Sequence, residues 1–331
     1  MNYLLAFPRL LRLPNLAILL LAQWIPYWLV LRPAILQAGG IPVLDERRFG
    51  LLAANTLLVA MAGYVINDYF DRDMDAINRP GRVVVGPIIS PGFALFIYWF
   101  FLALSTFLSL RLFLELPEPR SHWPLWVFPV VSVGLFLYAW GIKCTPVVGN
   151  LLVALLCGIA PVLPLVPEDR ALWLSSFQSP ERIHQAVSLV WFYALFAFVV
   201  NLFREQVKDL ADFAGDGACG CNTLAVVRGP RAARVHAGFT GLAAAALTTI
   251  LLYYWWETGA PYWQFAGGVA LLWLPILGLS LSLFRANTRE HFTFAGGLIK
   301  FVLLAGVLLC ARAWPADTLE VWVAIARAVF A

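Results

Sequence analysis

Long apolar runs alternate along the chain with short polar or charged breaks. They predict nine helices, at about 14–33, 49–67, 91–114, 123–142, 146–166, 185–203, 233–254, 262–284 and 292–313. Several of these runs reach the roughly 20 residues needed to carry a helix across a bilayer. After Pro315 the segment TLEVWVAIARAVF is short and is broken by Glu320 and Arg327, so 318–330 is expected to lie in the membrane interface. The fold class this pattern predicts is all-α: a polytopic membrane protein with nine transmembrane helices.

Composition agrees. Of 331 residues, 61% are hydrophobic and 13% are charged, against about 25% charged in soluble proteins, and mean hydropathy is +0.79. A soluble enzyme of this size has no way to hide so much apolar surface. The 24 Gly and 21 Pro form no repeat, which excludes a collagenous fibre, and the five Cys are scattered, which excludes a disulfide scaffold. The net charge of +4 is explained by basic cytoplasmic loops, so no nucleic-acid partner is inferred. The N-terminal MNYLLAFPRLLRLPN lacks the layout of a cleavable signal peptide. The cysteines imply no oxidising compartment, and Cys219-x-Cys221 is too short and isolated for a zinc site. Thirteen basic residues, among them Arg9, Arg12, Arg72, Arg79, Arg82 and Lys143, fall on one set of loop faces and nine on the other, with Lys300 inside the ninth span. That bias places the loops after helices 2, 4, 6 and 8 in the cytoplasm. The expected location is the bilayer, which is the cell membrane in a prokaryote.

The acids are unevenly spread. NDYFDRDMD, at the end of the second run, holds Asp68, Asp71, Asp73 and Asp75; REQVKDLADFAGD, at the end of the sixth, holds Glu205, Asp209, Asp212 and Asp216. Asp68, Asp71 and Asp75 are spaced +3 and +4, as are Asp209, Asp212 and Asp216, so each set forms a strip on one helix face. Three like charges in a strip repel unless a cation lies on them. Hard oxygen donors point to magnesium, one ion per strip, which typically also holds water and substrate phosphate. A single such cluster reads as an ordinary polar loop, but two with identical spacing on one side of the membrane do not.

A second echo supports a duplicated chain. NLAILLLAQWIP runs from Asn15 to Pro26 and NLLVALLCGIAP from Asn150 to Pro161, each with Asn eleven positions before Pro. The chain then reads as one membrane domain over 1–331: repeat 1 at about 12–142, repeat 2 at about 146–284, and an added helix at about 292–313. A buried Asn in a membrane helix needs a partner, so Asn15 and Asn150 are candidates for the site or for a helix contact. Arg79, Arg82, Lys143, Arg204 and Lys208 lie in or beside the acidic motifs and supply phosphate-binding cations. Together these features fit a diphosphate. No nucleotide-binding glycine loop appears, so ATP is not indicated. His122, His184, His236 and His291 show no metal spacing.

At these residues the chain resembles the UbiA-type intramembrane prenyltransferases. Their N-D-x-x-D-x-x-x-D motif is matched by Asn67, Asp68, Asp71 and Asp75, and their second acidic motif by Asp209, Asp212 and Asp216. The resemblance implies a polyprenyl diphosphate donor, two magnesium ions, and transfer of the prenyl group to a lipophilic acceptor, with no obligatory protein partner. NDYFDRDMDAINRPGR, YAWGIKCTPVVGN and REQVKDLADFAGD resemble the branch that prenylates geranylgeranylglyceryl phosphate in ether-lipid synthesis; Tyr138, Lys143, Gly149 and Asn150 fall in a comparable stretch. The wording departs at Arg82-Val83-Val84-Val85-Gly86-Pro87, where that branch has Arg-Pro-x-Pro-Ser-Gly, and at Thr223-Leu224-Ala225, where it has Thr-Leu-Pro. These departures bear on the acceptor, for which a quinone-precursor ring or a chlorin is the alternative. In the expected mechanism both metal strips neutralise the leaving diphosphate, aromatic rings shield an allyl cation, and Asp75 or Asp216 takes the acceptor proton. A secondary transporter is the competing class. Its charges belong near mid-membrane in broken helices, whereas these acids sit at helix ends.

Overall fold

A computed structural model describes residues 3–117, 122–257 and 259–310. The predicted interfacial tail at 318–330 and the last residues of the ninth predicted span lie outside them. The described residues contain helices and turns and no strand. In chain order the helices are α1 (Tyr3–Leu10), α2 (Leu13–Pro26), α3 (Arg32–Gln37), α4 (Glu46–Phe70), α5 (Arg72–Asn78), α6 (Pro91–Glu115), α7 (Pro124–Trp140), α8 (Val148–Ile159), α9 (Leu165–Ser176), α10 (Pro180–Ala218), α11 (Leu224–Glu257), α12 (Tyr262–Gly268), α13 (Leu274–Leu283) and α14 (Arg289–Cys310). Seven stretches of described chain are long and apolar enough to cross a membrane, and an eighth if the bent pair α8–α9 counts as one span. The predicted fourth span is α7, whose 17 residues fall short of a full crossing by length alone.

Local sequence explains the helix starts. Asp45 caps α4 by accepting from the Arg48 amide at 2.8 Å, and Ser90 caps α6 by accepting from Phe93 at 3.3 Å. Proline opens α6, α7 and α10, where its missing N–H costs nothing. The two Asn-to-Pro echoes both end in a change of pitch: Pro26 leads into a π-turn at Tyr27–Leu31, and Pro161 lies in the 3₁₀ turn Ala160–Val162. A proline breaks the i−4 hydrogen bond at each place, and the helix re-forms with another repeat.

Helices α1 and α5 add to the predicted runs, α11 begins ahead of the predicted 233, and two further elements differ from the sequence reading. Residues 167–176, left between the predicted helices, lie in α9, which is bent by 46° from the preceding helix. Helix α10 runs well past the predicted 185–203 at both ends and carries the whole second acidic motif within one continuous helix. The outer faces remain apolar. On α6 alone Phe93, Phe96, Trp99, Phe100 and Phe107 are exposed, an arrangement suited to lipid rather than water. Buried apolar side chains form two main cores, one around α2–α4, α7 and α9 and one around α10–α14.

The end of the bundle away from the acidic motifs is pinned by Glu168, which is fully buried. Its carboxylate accepts from the backbone amides of Val43 and Leu44, both at 2.8 Å. The Tyr27 hydroxyl lies 2.8 Å from the same carboxylate and 2.6 Å from the Leu44 carbonyl. This staple ties the loop before α4 onto α9. Replacing Glu168 by Ala leaves two N–H groups unpaired, of which the buried one at Leu44 costs about 1–3 kcal/mol. Glu168→Ala is expected to lower the melting midpoint in detergent by several degrees and Glu168→Gln by less. An unchanged midpoint in the alanine variant would remove the staple from the account.

Candidate active site

The first acidic motif straddles a bend. Helix α4 ends at Phe70 and α5 begins at Arg72. The four-residue ladder nevertheless continues, from the Asp71 amide to Asn67, Asp75 to Asp71 and Arg79 to Asp75, at 2.9, 2.7 and 2.7 Å. Asn67, Asp71, Asp75 and Arg79 are therefore one turn apart in succession. Asn67 Nδ2 donates to Asp71 Oδ2 at 2.5 Å, with both residues buried. Asp73 points outward and is exposed. Asp75 is half-buried and its carboxylate has no hydrogen-bond or ion-pair partner among the described residues. Burial, and then the neighbouring Asp71 charge, push its carboxyl above the ordinary carboxylate range.

Helix α5 lies on α10 and brings the two motifs together. Arg79 Nη2 lies 2.8 and 2.6 Å from the two carboxylate oxygens of Asp212. Asn78 Oδ1 accepts from the Gly215 amide at 2.9 Å. Gly215 is required for this contact, since a Cβ there would sit 2.4 Å from Asn78 Nδ2. Lys143 pairs with Asp71, Arg12 Nη2 with Asp68 Oδ1 at 2.7 Å, and Asn150 Nδ2 donates to Asp209 Oδ2 at 2.9 Å. The sequence reading assigned compensation of these carboxylates to a metal alone. In the structure Arg12, Arg79 and Lys143 already neutralise Asp68, Asp212 and Asp71. Lys143 is positioned from below by Gly149, where a Cβ would meet Lys143 Cα at 2.6 Å.

Beneath this cluster lies a cavity of ≈ 230 Å³ between α2, α4, α7, α8, α10 and α14. Its upper wall carries Asn15, Asn67, Tyr138, Arg204 and Lys208; its depth is apolar, with Ala22, Val59, Phe128, Leu163 and Tyr193. From Lys208 to Tyr193 along α10 is fifteen residues, roughly 22 Å of helix. A charged head at the mouth and a long hydrocarbon in the depth match this gradient.

Most of the sequence candidates therefore converge. Asp68, Asp71, Asp209, Asp212, Asn67, Arg79, Lys143 and Asn150 join the contact network, Asp75 and the buried Asp216 flank it, and Asn15, Tyr138, Arg204 and Lys208 line the cavity. Arg82 is exposed and lies beyond the end of α5 at Asn78, outside this network. Arg12 and Lys300, counted from sequence only as a loop and a span residue, both face the cavity. A disulfide joins Cys144 to Cys221 across 77 residues, a pairing that the scattered cysteines of the sequence did not indicate, since no spacing marks such a pair.

Among the described residues no three carboxylate, His or Cys side chains gather into a cage that could hold a metal ion. Magnesium is usually held by one or two carboxylates, with substrate phosphate and water completing its shell. Hard oxygen donors and the unpartnered Asp75 carboxylate fit that kind of site.

The UbiA prenyltransferase family profile matches residues 23–294, and the chain belongs to that family, as an integral multi-pass membrane protein. The digeranylgeranylglyceryl phosphate synthase of Thermococcus kodakarensis is 34% identical over 208 residues, 62% of this chain and 65% of that one, so the match spans just under two thirds of the relative's length. A solved structure concerning digeranylgeranylglyceryl phosphate synthase in membranes superposes with a TM-score of 0.61 at 20% identity, covering 95% of this chain and 99% of that chain. A UbiA homologue from Archaeoglobus fulgidus, solved with DMAPP and Mg2+, gives a TM-score of 0.51 at 16% identity over 92% of this chain and 98% of that chain. These two likenesses show a common fold.

Gly149→Ala is expected to push the Lys143 turn off α8 and cut turnover by roughly 10²-fold, the scale of an ångström-sized misplacement. Gly134→Ala, where a Cβ meets nothing within 4 Å, is the matched control. Equal activity in the two variants would dissociate the Lys143 turn from function.

Proposed function

We propose that this chain transfers a polyprenyl group, geranylgeranyl in the best-supported reading, from its diphosphate to geranylgeranylglyceryl phosphate in ether-lipid synthesis. The observation that carries the reading is two aspartate motifs, joined by Arg79 and Asp212, at the charged mouth of an apolar cavity. Membership of the UbiA family and the likeness to a named synthase support it. Magnesium, two ions in this reading, would be held by Asp68, Asp71 and Asp75 and by Asp209, Asp212 and Asp216, and when bound it would neutralise the leaving diphosphate.

The chain's own groups account for the remainder. Arg79, Lys143 and Lys208 surround the diphosphate and stabilise the charge that develops as the allylic C–O bond breaks and its electron pair leaves with the diphosphate. The cavity walls exclude water from the allyl cation. The acceptor hydroxyl adds to that carbon, and its proton passes to Asp75 or Asp216. Transport requires charges at mid-membrane in broken helices, and these carboxylates lie at helix ends. Asp71→Asn and Asp212→Asn are each expected to reduce radiolabelled transfer by roughly 10²–10³-fold, and EDTA to abolish it. Full turnover in either variant, or in EDTA, would defeat this mechanism.

The proposed architecture is two four-helix units, over about 12–142 and 146–284, plus a ninth helix over about 292–313. Its acidic face is proposed to lie in the cytoplasm on the basis of loop charge. Cys219 is exposed on that face. With Cys157 and Cys310 changed to Ser, a membrane-impermeant maleimide is expected to label Cys219 in inverted vesicles and not in intact cells. The opposite pattern would reverse the orientation.

A further inference from the structure

Lys300 has no role in the mechanism above. It lies on α14 inside a membrane-spanning helix, half-buried, with its side chain on the cavity wall and no ion-pair or hydrogen-bond partner among the described residues. An unpaired ammonium in a span is costly and marks a functional position. The charged groups acting on it are Arg204, Arg12, Glu205 and Arg79, three cations and one acid. Arg12 is neutralised by Asp68, while Arg204 and Lys208 share Glu205, the latter at 3.9 Å. With Lys208 given to the diphosphate, Arg204 pairs with Glu205 and Arg12 with Asp68, and Lys300 is the cation of the cavity wall left without a carboxylate among the described residues.

Lys300 and Arg204 lie below the carboxylate strips. Arg289, at the start of α14, donates to the Asn78 carbonyl beside the acidic motifs, and Lys300 is eleven residues further, roughly 16 Å along the helix. Arg204 precedes Asp212 by eight residues, roughly 12 Å on α10. A side chain on a helix leans toward the N-terminus, which directs the Lys300 amine up toward Arg204. Carboxylates repel phosphate unless a metal intervenes, so a diphosphate bound through metal belongs to the strips. Lys300, which no carboxylate among the described residues pairs, takes an anion directly, and Arg204 on the same cavity wall adds a guanidinium.

We infer that Lys300 and Arg204, with Arg12 at the rim, form a second anion subsite that binds the phosphomonoester of the lipid acceptor and leaves its hydroxyl facing the carbon beneath the diphosphate. The inference rests on the function proposed above and deepens it to a binding site. A phosphate monoester carries about −1.5 to −2 charges at neutral pH, more than a carboxylate, and gains more from these cations. The subsite makes the acceptor's charge, rather than its ring or chain, the selected feature. It also predicts that acceptor binding needs no metal.

The test is equilibrium binding of labelled geranylgeranylglyceryl phosphate, and of its dephosphorylated alcohol, to the full chain in detergent with EDTA and no donor. The phosphate is expected to bind at least about tenfold more tightly than the alcohol, a gap that one charge-assisted contact supplies. Lys300→Met is expected to close that gap and Lys300→Arg to restore most of it. Magnesium-dependent binding of geranylgeranyl diphosphate to Lys300→Met stays within about threefold of wild type, which reports a folded chain. The inference is overturned if the wild type binds phosphate and alcohol equally, if Lys300→Met weakens the diphosphate instead, or if a hydroxybenzoate shows the Lys300 dependence. A wild-type chain that binds no prenyl diphosphate with magnesium would instead remove the function on which the subsite rests.

Discussion

The Arg79–Asp212 contact holds together two parts of the chain that electrostatics alone would drive apart. Each half presents a row of aspartates, and the rows meet at the mouth of one cavity. Without a cation between them the two helix ends would repel. Arg79 leaves the first half and reaches both oxygens of Asp212 in the second, and Asn78 beside it docks on Gly215. Lys143 acts in the reverse sense by returning to Asp71. The two rows are thus held in apposition by side chains that a bound phosphate can recruit in turn.

That arrangement explains why some of the site was legible in the sequence and some was not. The second set of aspartates lies within one helix, and in the first the four-residue ladder continues through the bend at Asp71, so positions 68, 71, 75, 209, 212 and 216 show in the spacing. Asn150 was equally visible through its echo of Asn15, although only packing shows that it donates to Asp209. Arg12 and Lys300 meet the site across helix–helix contacts, which no local spacing encodes. Arg82, adjacent to the motif in sequence, is exposed and makes none of these contacts.

The fold was legible wherever apolar length decided it. The predicted runs from 14–33 to 292–313 each meet a helix, because in a membrane the backbone has few other ways to satisfy its polar groups. Helix α9 was missed because Glu168, Asp169 and Arg170 look like a loop when charge is counted as exposure. Glu168 is buried and saturated by two amides, so its charge closes the far end of the bundle. Helix α10 overran its predicted end for a related reason: its acids continue a helical face that packs on α5.

The turn carrying Lys143 shows how much of a flexible side chain's placement is set by backbone. A lysine loses about 2 kcal/mol of rotamer freedom when fixed, so a lysine that must meet a phosphate benefits from an immobile base. Here Gly149 admits the turn against α8, Cys144 ties it to Cys221 just beyond the second acidic motif, and Asp71 holds the amine itself. Two of these three restraints come from the second half of the chain and one from the first. A cation serving the first motif is therefore positioned by the second, and neither half can assemble its charge pattern alone.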